Sequence, residues 1–581
     1  MSITPTNNYM NKKINIKING KKYLVETGQT ILNVARANNI FIPSLCYHPD
    51  LHVKANCRVC VVEIKGQRRL STACSTQVAP GMEIFTDSAK VKTARDTNLE
   101  LIFASHREKC SDCTLQYECS LLSLAKRYKI KANNFKDRKN NYLTYKFDKS
   151  VEIDGSQCID CQNCVDVCKN VQKIGYLEVQ GKGSDRKIIP TNNKKIDCIY
   201  CGQCTSHCPV ASAQEQSQSL EVENILRDKK DKTVIAIFAP STRMTIGEDF
   251  ALPYGQDNSP KMIGALKKLG FDQVMDVNFS ADTTTLVEAT ELLERLSSPR
   301  GVLPLLTSCC PAWVKYLEFY RPDLIPNLTT SRSPHIQLGG IIKTYWAKEK
   351  KIKPENIVVV SIMPCTAKKF EITRSELKIG KNYPVDYVLT VRELVYLIKK
   401  NKIDFKKVAV EKSDNLINDG SSAGLIFGAS GGVMESALRT ASYVLNSSAK
   451  NKLRTSRLEF KEVRGQAGVK EAQVTLSGKK LRVAVVNGIG NVKPVLKNIK
   501  KYDYIEVMSC PGACLGGGGQ PIPVSREIVS KRTAGIYQVD KTSKLRTAHD
   551  NPSAVKIIEW LKDKKLDHEV LHTHYSKKTR K

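Results

Sequence analysis

Isoleucines at 14, 16 and 18 alternate with polar residues, and after Asn19-Gly20 the apolar side chains resume at Tyr23, Leu24 and Val25. Period-two alternation interrupted by an Asn-Gly pair predicts a β-hairpin with a primed turn. Ile31, Leu32, Val34 and Ala35 then take up helical spacing and predict a short amphipathic helix, and a longer one is expected over Ala89–Ser105. From about Thr233 the texture changes: Val234–Phe238, Val302–Leu306, Ile357–Ile362, Leu481–Val486 and Tyr504–Val507 are β-branched runs separated by helical segments. That alternation predicts a parallel α/β sheet. Three of the runs lead directly into cysteines, at Thr307-Ser308-Cys309-Cys310-Pro311, Met363-Pro364-Cys365-Thr366 and Met508-Ser509-Cys510-Pro511. Open α/β sheets bind ligands at the C-terminal ends of their strands.

Composition sharpens this picture. A chain of 581 residues is long enough for roughly four domains. It has no run of 18 apolar residues, so no membrane span is expected, and the N-terminal MSITPTNNYMNKKINIKING lacks an apolar signal core, so a cytoplasmic protein is expected. Twenty cysteines clustered at two- and three-residue gaps point to metal rather than to a disulfide scaffold. The formal charge of +33 overstates the basicity, since deprotonated thiolates on clusters of net charge about −2 would remove roughly ten units. The remaining positive surface suits an acidic protein partner. Nucleic acid is not expected: the lysines of Lys131–Lys146 and Lys577–Lys581 are scattered without aromatic stacking residues and read as solvated faces, the first as a linker.

The cysteines fall into four groups. Cys46, Cys57, Cys60 and Cys74 follow C-x10-C-x2-C-x13-C, for which zinc is the competing reading. His106, Cys110, Cys113 and Cys119 follow H-x3-C-x2-C-x5-C, although a lone histidine at a helix end is more often a cap. Cys158, Cys161, Cys164, Cys168 and then Cys198, Cys201, Cys204, Cys208 repeat CxxCxxCxxxC, the strongest signal in the chain. The last group is Cys309, Cys310, Cys365, Cys510 and Cys514, of which the last four suit one four-iron cubane. Taken alone, Glu506–Pro521, EVMSCPGACLGGGGQP, is equally compatible with a glycine-rich turn carrying two core cysteines. Glu288 and Glu291 share a helix face. Gly488-Ile489-Gly490 lacks the third glycine of a dinucleotide loop and reads as a turn.

The hairpin, helix and first cysteine loop resemble the β-grasp [2Fe-2S] ferredoxin domain at the front of complex I's large iron-sulfur subunit. The His106 group is similar to the His-ligated [4Fe-4S] module that follows it there, and the quartets resemble a bacterial two-cluster ferredoxin, in which the fourth thiol of each run ligates the other cluster. Cys208 is followed by the expected Pro209 but Cys168 by Lys169, which leaves the local turn open. TSCCPAW, MPCTAKKFE and EVMSCPGACLGGGGQP resemble the three signature segments of [FeFe]-hydrogenases, and the match to the monomeric multi-cluster clostridial type runs over nearly the whole chain.

The resemblance implies a two-lobed α/β catalytic domain of parallel sheets flanked by helices, with a C-terminal small-subunit-like segment, over 226–581. It is preceded by α+β iron-sulfur domains: β-grasp [2Fe-2S] over 1–88, His/Cys3-ligated [4Fe-4S] over 89–135, and two-cluster ferredoxin-like over 136–225. It further implies an H-cluster, a [4Fe-4S] cubane on Cys310, Cys365, Cys510 and Cys514, with Cys514 bridging to a di-iron unit that bears CO, cyanide and an azadithiolate. Lys368 would donate to a cyanide, Ala239, Pro240 and Ser241 would pack beside the di-iron unit, and Met363 and Met508 would line it. Cys309 would exchange protons with the bridging amine, supplied by Glu288, Thr329 and Glu291, with Arg295 near the outer end. Thr329 stands where a serine is expected, and His335 where many relatives carry glutamine. The implied activity is reversible reduction of protons to H2 with electrons from ferredoxin, in a monomer whose di-iron unit is installed by maturases. Three other readings stand beside it: a catalytic subunit of an NADH-linked bifurcating hydrogenase, a sensory or cluster-assembly relative, and a pure electron-transfer subunit, which leaves the C-terminal thiols without a role.

Overall fold

The computed structural model describes residues 12–106, 110, 113–131, 134–139, 141–414, 420–447, 459–476 and 478–580. The alternating isoleucines form the strand Lys13–Ile18, antiparallel to Lys21–Glu26. Asn19 and Gly20 have φ of 50° and 82°, the primed turn expected of that pair. Ile14, Ile16 and Ile18 face the helix Ile31–Ala37, which buries Ile31, Leu32, Val34 and Ala35 against them. Thr30 caps this helix by accepting from the Asn33 amide at 3.2 Å. Glu83–Phe85 lies parallel to Lys13–Ile18, and Val61–Ile64 and Ser71–Thr72 complete a five-stranded sheet whose core includes Cys60 and Cys74.

Helix Ala89–Ala104, capped by Ser88, ends just ahead of His106. The two quartets lie beside a three-stranded sheet of Ala213–Glu215, Val151–Asp154 and Thr144–Phe147 and a hairpin of Leu177–Gln180 with Lys187–Pro190. Their turns differ as the residues after them do. Asn163–Asp166 continues through Cys168-Lys169 as a π-helical turn, Val167–Val171, whereas Gln203–Ser206 stops ahead of Cys208-Pro209. Proline has no amide hydrogen to continue a helix; lysine does.

Lys131, Lys136, Lys146 and Lys577 are exposed, as expected of solvated faces, and Lys139 is the departure. Thr144–Phe147 is a strand, and Lys139 is buried, donating to the Cys158 carbonyl at 2.6 Å and to Asp160 at 2.7 Å. An ammonium taken out of water needs such partners, so this lysine ties the segment to the first quartet. The C-terminal tail is likewise docked: the Lys578 amide donates to the Glu318 carbonyl, and Arg580 donates to the carbonyls of Thr191 and Asn193. Lys581 lies outside the described residues.

The α/β region contains two four-stranded sheets. Gln273–Asp276, Thr233–Phe238, Ile357–Met363 and Tyr387–Thr390 are parallel throughout. In the second sheet Leu305–Leu306, Tyr504–Met508 and Lys479–Asn487 are parallel, but Val469–Leu476 joins antiparallel. The chain reverses at Gly478, φ 87°, within a connection far too short for a crossover helix, and only an antiparallel partner can follow. The expected Val302–Leu306 strand shrinks to Leu305–Leu306, since Val302 is exposed and Pro304 has no ladder donor. Helix Asn278–Ser297 spans the two sheets' cores, giving Phe279 and Val287 to one and Ala289 and Leu292 to the other.

Candidate active site and cluster cavities

Three strand ends from the two sheets meet at one cavity. Ile357–Met363 delivers Cys365, Leu305–Leu306 leads to Cys309 and Cys310, and Tyr504–Met508 delivers Cys510 and, one turn on, Cys514. All five thiols line it. So do Ala239, Pro240, Ser241, Met363, Met508, Lys368 and His335, each singled out from the sequence, together with Val277, Ala281, Phe427 and Gly428, which were not. The density of small residues across Ser421–Gly432 resembles that of Cys514–Gly519 and was the available signal for Phe427 and Gly428.

The polar groups in this apolar cavity are few and organised. Lys368 Nζ donates to Glu371 Oε2 at 2.7 Å and to the Cys309 carbonyl at 3.2 Å. His335 also meets Glu371 Oε2, through Nε2 at 2.7 Å, while its Nδ1 meets Ser361 Oγ at 3.0 Å. Burial works against the Glu371 charge, but Lys368 and His335 outweigh it and hold the carboxyl down at about 2. Burial and then the Lys368 charge push His335 down to about 4, so the ring is neutral. Burial opposes charge on Lys368 too, yet Glu371 raises its pKa above the ordinary value. Ser241 Oγ and Ser509 Oγ are buried among the lining residues and have no hydrogen-bond partner among the described residues.

Burial raises the pKa of four of these thiols: Cys514 to about 12, and Cys309, Cys365 and Cys510 well above the ordinary value, with Glu288 as the largest charged influence on Cys309. Without a cofactor these groups stay protonated, so loading must displace protons, as thiolate ligation does.

Gly516, Gly517 and Gly518 admit neighbouring backbone. A Cβ on Gly516 would stand 1.9 Å from the Pro511 carbonyl, on Gly517 2.3 Å from that of Pro364, and on Gly518 2.6 Å from that of Cys201. Of Gly516–Gly519, only Gly517 lines the cavity. The close approach brings the second quartet against the catalytic loop, and Cys510 Sγ lies 3.7 Å from the Cys201 carbonyl.

Glu288, Glu291, Thr329 and Arg295 lie outside the cavity lining. Glu291 accepts from Thr329 Oγ1 at 2.6 Å, from the Thr330 amide at 3.0 Å and from Arg295 at 2.5 Å. Arg295 also donates to the carbonyls of Val302, Pro326, Asn327 and Leu328, clamping that loop to the helix. Glu288 is fully buried: Tyr504 Oη donates to its Oε1 at 2.5 Å, and its Oε2 has no partner among the described residues. Burial lifts its pKa to about 8, against the Tyr504 bond. Tyr504 was missed because it reads as one more apolar strand position. Glu506 was missed as well: its carboxylate accepts from the Gly431 and Met434 amides at 2.7 and 2.8 Å and anchors the start of helix Gly432–Ser447.

The other thiols form separate sites. Cys158, Cys161, Cys164 and Cys208 line one small cavity, the exchange of fourth cysteines expected of a two-cluster ferredoxin. His106, Cys110, Cys113 and Cys119 line another of about 560 Å³, in which His106 Nδ1 pairs with the Gln157 carbonyl at 2.7 Å. That bond makes Nδ1 the protonated nitrogen and leaves the Nε2 lone pair unprotonated. Cys46, Cys57, Cys60 and Cys74 are all buried, Cys46 within hydrogen-bond reach of Cys57 and Cys60 of Cys74. No three His, Cys, Asp or Glu side chains among the described residues crowd closely enough to hold a single metal ion.

Fold and sites together define an iron-sulfur redox enzyme: accessory thiol cages lead to a dry cavity at the junction of two α/β sheets. Residues 232–518 match the family model of the iron only hydrogenase large subunit, C-terminal domain; 11–89 match the 2Fe-2S iron-sulfur cluster binding domain and 526–578 the iron hydrogenase small subunit. The NADP-reducing hydrogenase subunit HndD of Solidesulfovibrio fructosivorans is 38% identical over 98% of this chain and 99% of its own. Iron hydrogenase 1 of Clostridium pasteurianum is 37% identical over 97% of this chain and 100% of its own. The structure of apo [FeFe]-hydrogenase HydA1 from Chlamydomonas reinhardtii superposes with a TM-score of 0.54 and 34% identity, covering 62% of this chain and 99% of that one. The chain belongs to the iron-only, or [FeFe]-, hydrogenases, enzymes that produce and oxidise H2.

Proposed function

We propose that the chain reduces protons to H2 reversibly as a monomer that takes electrons from an acidic, ferredoxin-type carrier. The observation that supports this best is the convergence of Cys309, Cys310, Cys365, Cys510 and Cys514 with Lys368 on one apolar cavity. Cys310, Cys365, Cys510 and Cys514 would hold the cubane of the H-cluster, Cys514 on the side of the di-iron unit. When bound, that group supplies the redox-active irons at which protons and electrons combine. The residues fit it: Lys368 carries a fixed positive charge, and Ser241 and Ser509 offer unpaired hydroxyls, in a cavity whose other walls are methionine, proline and phenylalanine. Such walls exclude water, and dedicated maturases would load the group.

Electrons would arrive through one [2Fe-2S] and three accessory [4Fe-4S] sites, assigned to 1–88, 89–135 and 136–225, ahead of the catalytic 226–581. The contact between Cys201 and Cys510 supports passage from the second quartet to the cubane. Protons would travel separately through Glu291, Thr329 and Glu288 to Cys309. Water must complete the path at Glu288, whose Oε2 has no protein partner. The thiols, all free, suit a reducing cytoplasm, and no helix among the described residues is long and apolar enough to cross a membrane.

The likeness to a subunit named for NADP reduction favours a second reading, a catalytic subunit of a nicotinamide-linked complex. One anaerobic experiment tests both: iron content, infrared bands of CO and cyanide, and H2 evolution with reduced ferredoxin against NADH and NADPH. About twenty irons with CO bands and ferredoxin-driven turnover are expected. Turnover from a reduced nicotinamide only when other subunits are added would replace the monomer by the complex.

A further inference from the structure

We propose that His572 and His568, in the C-terminal segment, form the solvent end of the proton relay, passing protons through Thr330 to Glu291. The inference rests on the relay through Glu291 and extends it outward.

Glu291 Oε2 is the meeting point of two hydroxyls on adjacent residues: Thr329 Oγ1 at 2.6 Å and Thr330 Oγ1 at 3.2 Å. Thr329 is fully buried, whereas Thr330 is exposed and its Oγ1 lies 2.8 Å from His572 Nδ1. The His568 ring is 5.4 Å from that of His572; Thr329 is buried, Thr330 is exposed, His572 is half-buried and His568 is exposed, so the route leaves the interior at Thr330 and runs along the surface to the two rings. The ring of His572 is not needed to dock its segment. Backbone does that: Ser331 bridges His572, the Thr573 amide donates to the Thr330 carbonyl at 2.8 Å, and Arg332 Nε donates to the His572 carbonyl at 2.7 Å. The charged groups facing the ring are His568, Glu291, Asp567 and Arg332, with Arg295 paired to Glu291 behind it. Burial and His568 lower the pKa of His572, so near neutral pH the ring is mostly uncharged and free to accept a proton.

The transfer balances. His572 Nε2 gains a proton from solvent or His568, and the Nδ1–H bond breaks as that proton moves to Thr330 Oγ1. The Thr330 hydroxyl proton moves to Glu291 Oε2, so one proton enters and one leaves the ring. Exchange with water restores the starting tautomer, and H2 oxidation runs the steps in reverse.

His572→Gln keeps a hydrogen-bonding group but removes titration. In the loaded enzyme at low buffer concentration it is expected to lower H2 evolution about fivefold, and added imidazole is expected to restore it to within about twofold of wild type. Iron content and the CO and cyanide bands stay unchanged, and so does turnover in His574→Gln, an exposed neighbour. Thr330→Val, which breaks the bridge without touching the ring, is expected to lose a similar factor. Wild-type turnover in either His572→Gln or Thr330→Val at low buffer overturns the proposal, as does a loss in His572→Gln that imidazole does not restore. The relay itself is judged separately by Cys309→Ala. If that variant keeps full turnover, the relay falls; if it loses turnover while His572→Gln does not, only the extension falls.

Discussion

The cavity around His106 and the one around Cys510 solve opposite problems. The first draws its histidine and three thiols from residues 106–119 and is rimmed by Lys146, Glu152, Asp154, Gln157 and Gln214. The second draws its thiols from three strand ends up to 205 residues apart, Cys309 to Cys514, and is walled by Met363, Met508, Phe427 and Val277. Electrons cross protein without a material path, so a wet, polar rim costs an accessory cluster little. Chemistry on protons in a dry cavity needs a proton route built from side chains. Buried carboxylates with raised pKa, Glu288 and Glu506, lie beside the second cavity, and the proposed route gives Glu288 that use.

The comparison is broken most severely at Cys309. Cys309→Ala is expected to lower turnover at least about 100-fold while leaving the infrared bands of CO and cyanide in place, because the thiol is not needed for the cubane. Turnover near wild type would mean that protons reach the dry cavity without a built route.

A second effect, on stability rather than turnover, concerns Glu288. Burial raises its pKa from the ordinary 4.5 to about 8, so the folded protein holds this proton more tightly than the unfolded chain. Its contribution to stability is therefore intact below 4.5 and is lost as pH climbs through about 8. Glu288→Gln carries no such charge, and across that window it should gain on wild type by up to about 5 kcal/mol, read as diverging unfolding midpoints against pH. Parallel profiles would show that the carboxyl is solvated.

The smallest effect belongs to the wet cavity. His106→Cys adds a thiolate, lowers the cluster potential and is expected to slow carrier-driven H2 evolution about threefold. Loss of the cluster's electron paramagnetic resonance signal instead would show that the imidazole, positioned by Gln157, is required for assembly.

Much of this was legible before folding was considered. The hairpin at Asn19-Gly20, the parallel strands of the first catalytic sheet and the grouping of thiols all follow from spacing, because a short chain segment has few conformations. Lys139 departs from the expected solvated face for the converse reason: nothing local distinguishes it, buried against Asp160 and the Cys158 carbonyl, from its solvated neighbours. Likewise Val469–Leu476 runs antiparallel because of a turn at Gly478, not because of its own pattern.

The sequence by itself determined which chemistry this protein can host: the number of thiols, their local spacing and the segments that carry them. Only the tertiary structure decided which groups meet. It placed Cys208 with Cys158, Cys161 and Cys164, set Tyr504 on Glu288, and brought His572 to Thr330. It also gave Gly516, Gly517 and Gly518 the work of admitting neighbouring backbone. The physical reason is range. Spacing along the chain constrains residues a few positions apart, whereas contacts between segments hundreds of residues apart are set by how whole sheets and helices pack, and no local pattern encodes that.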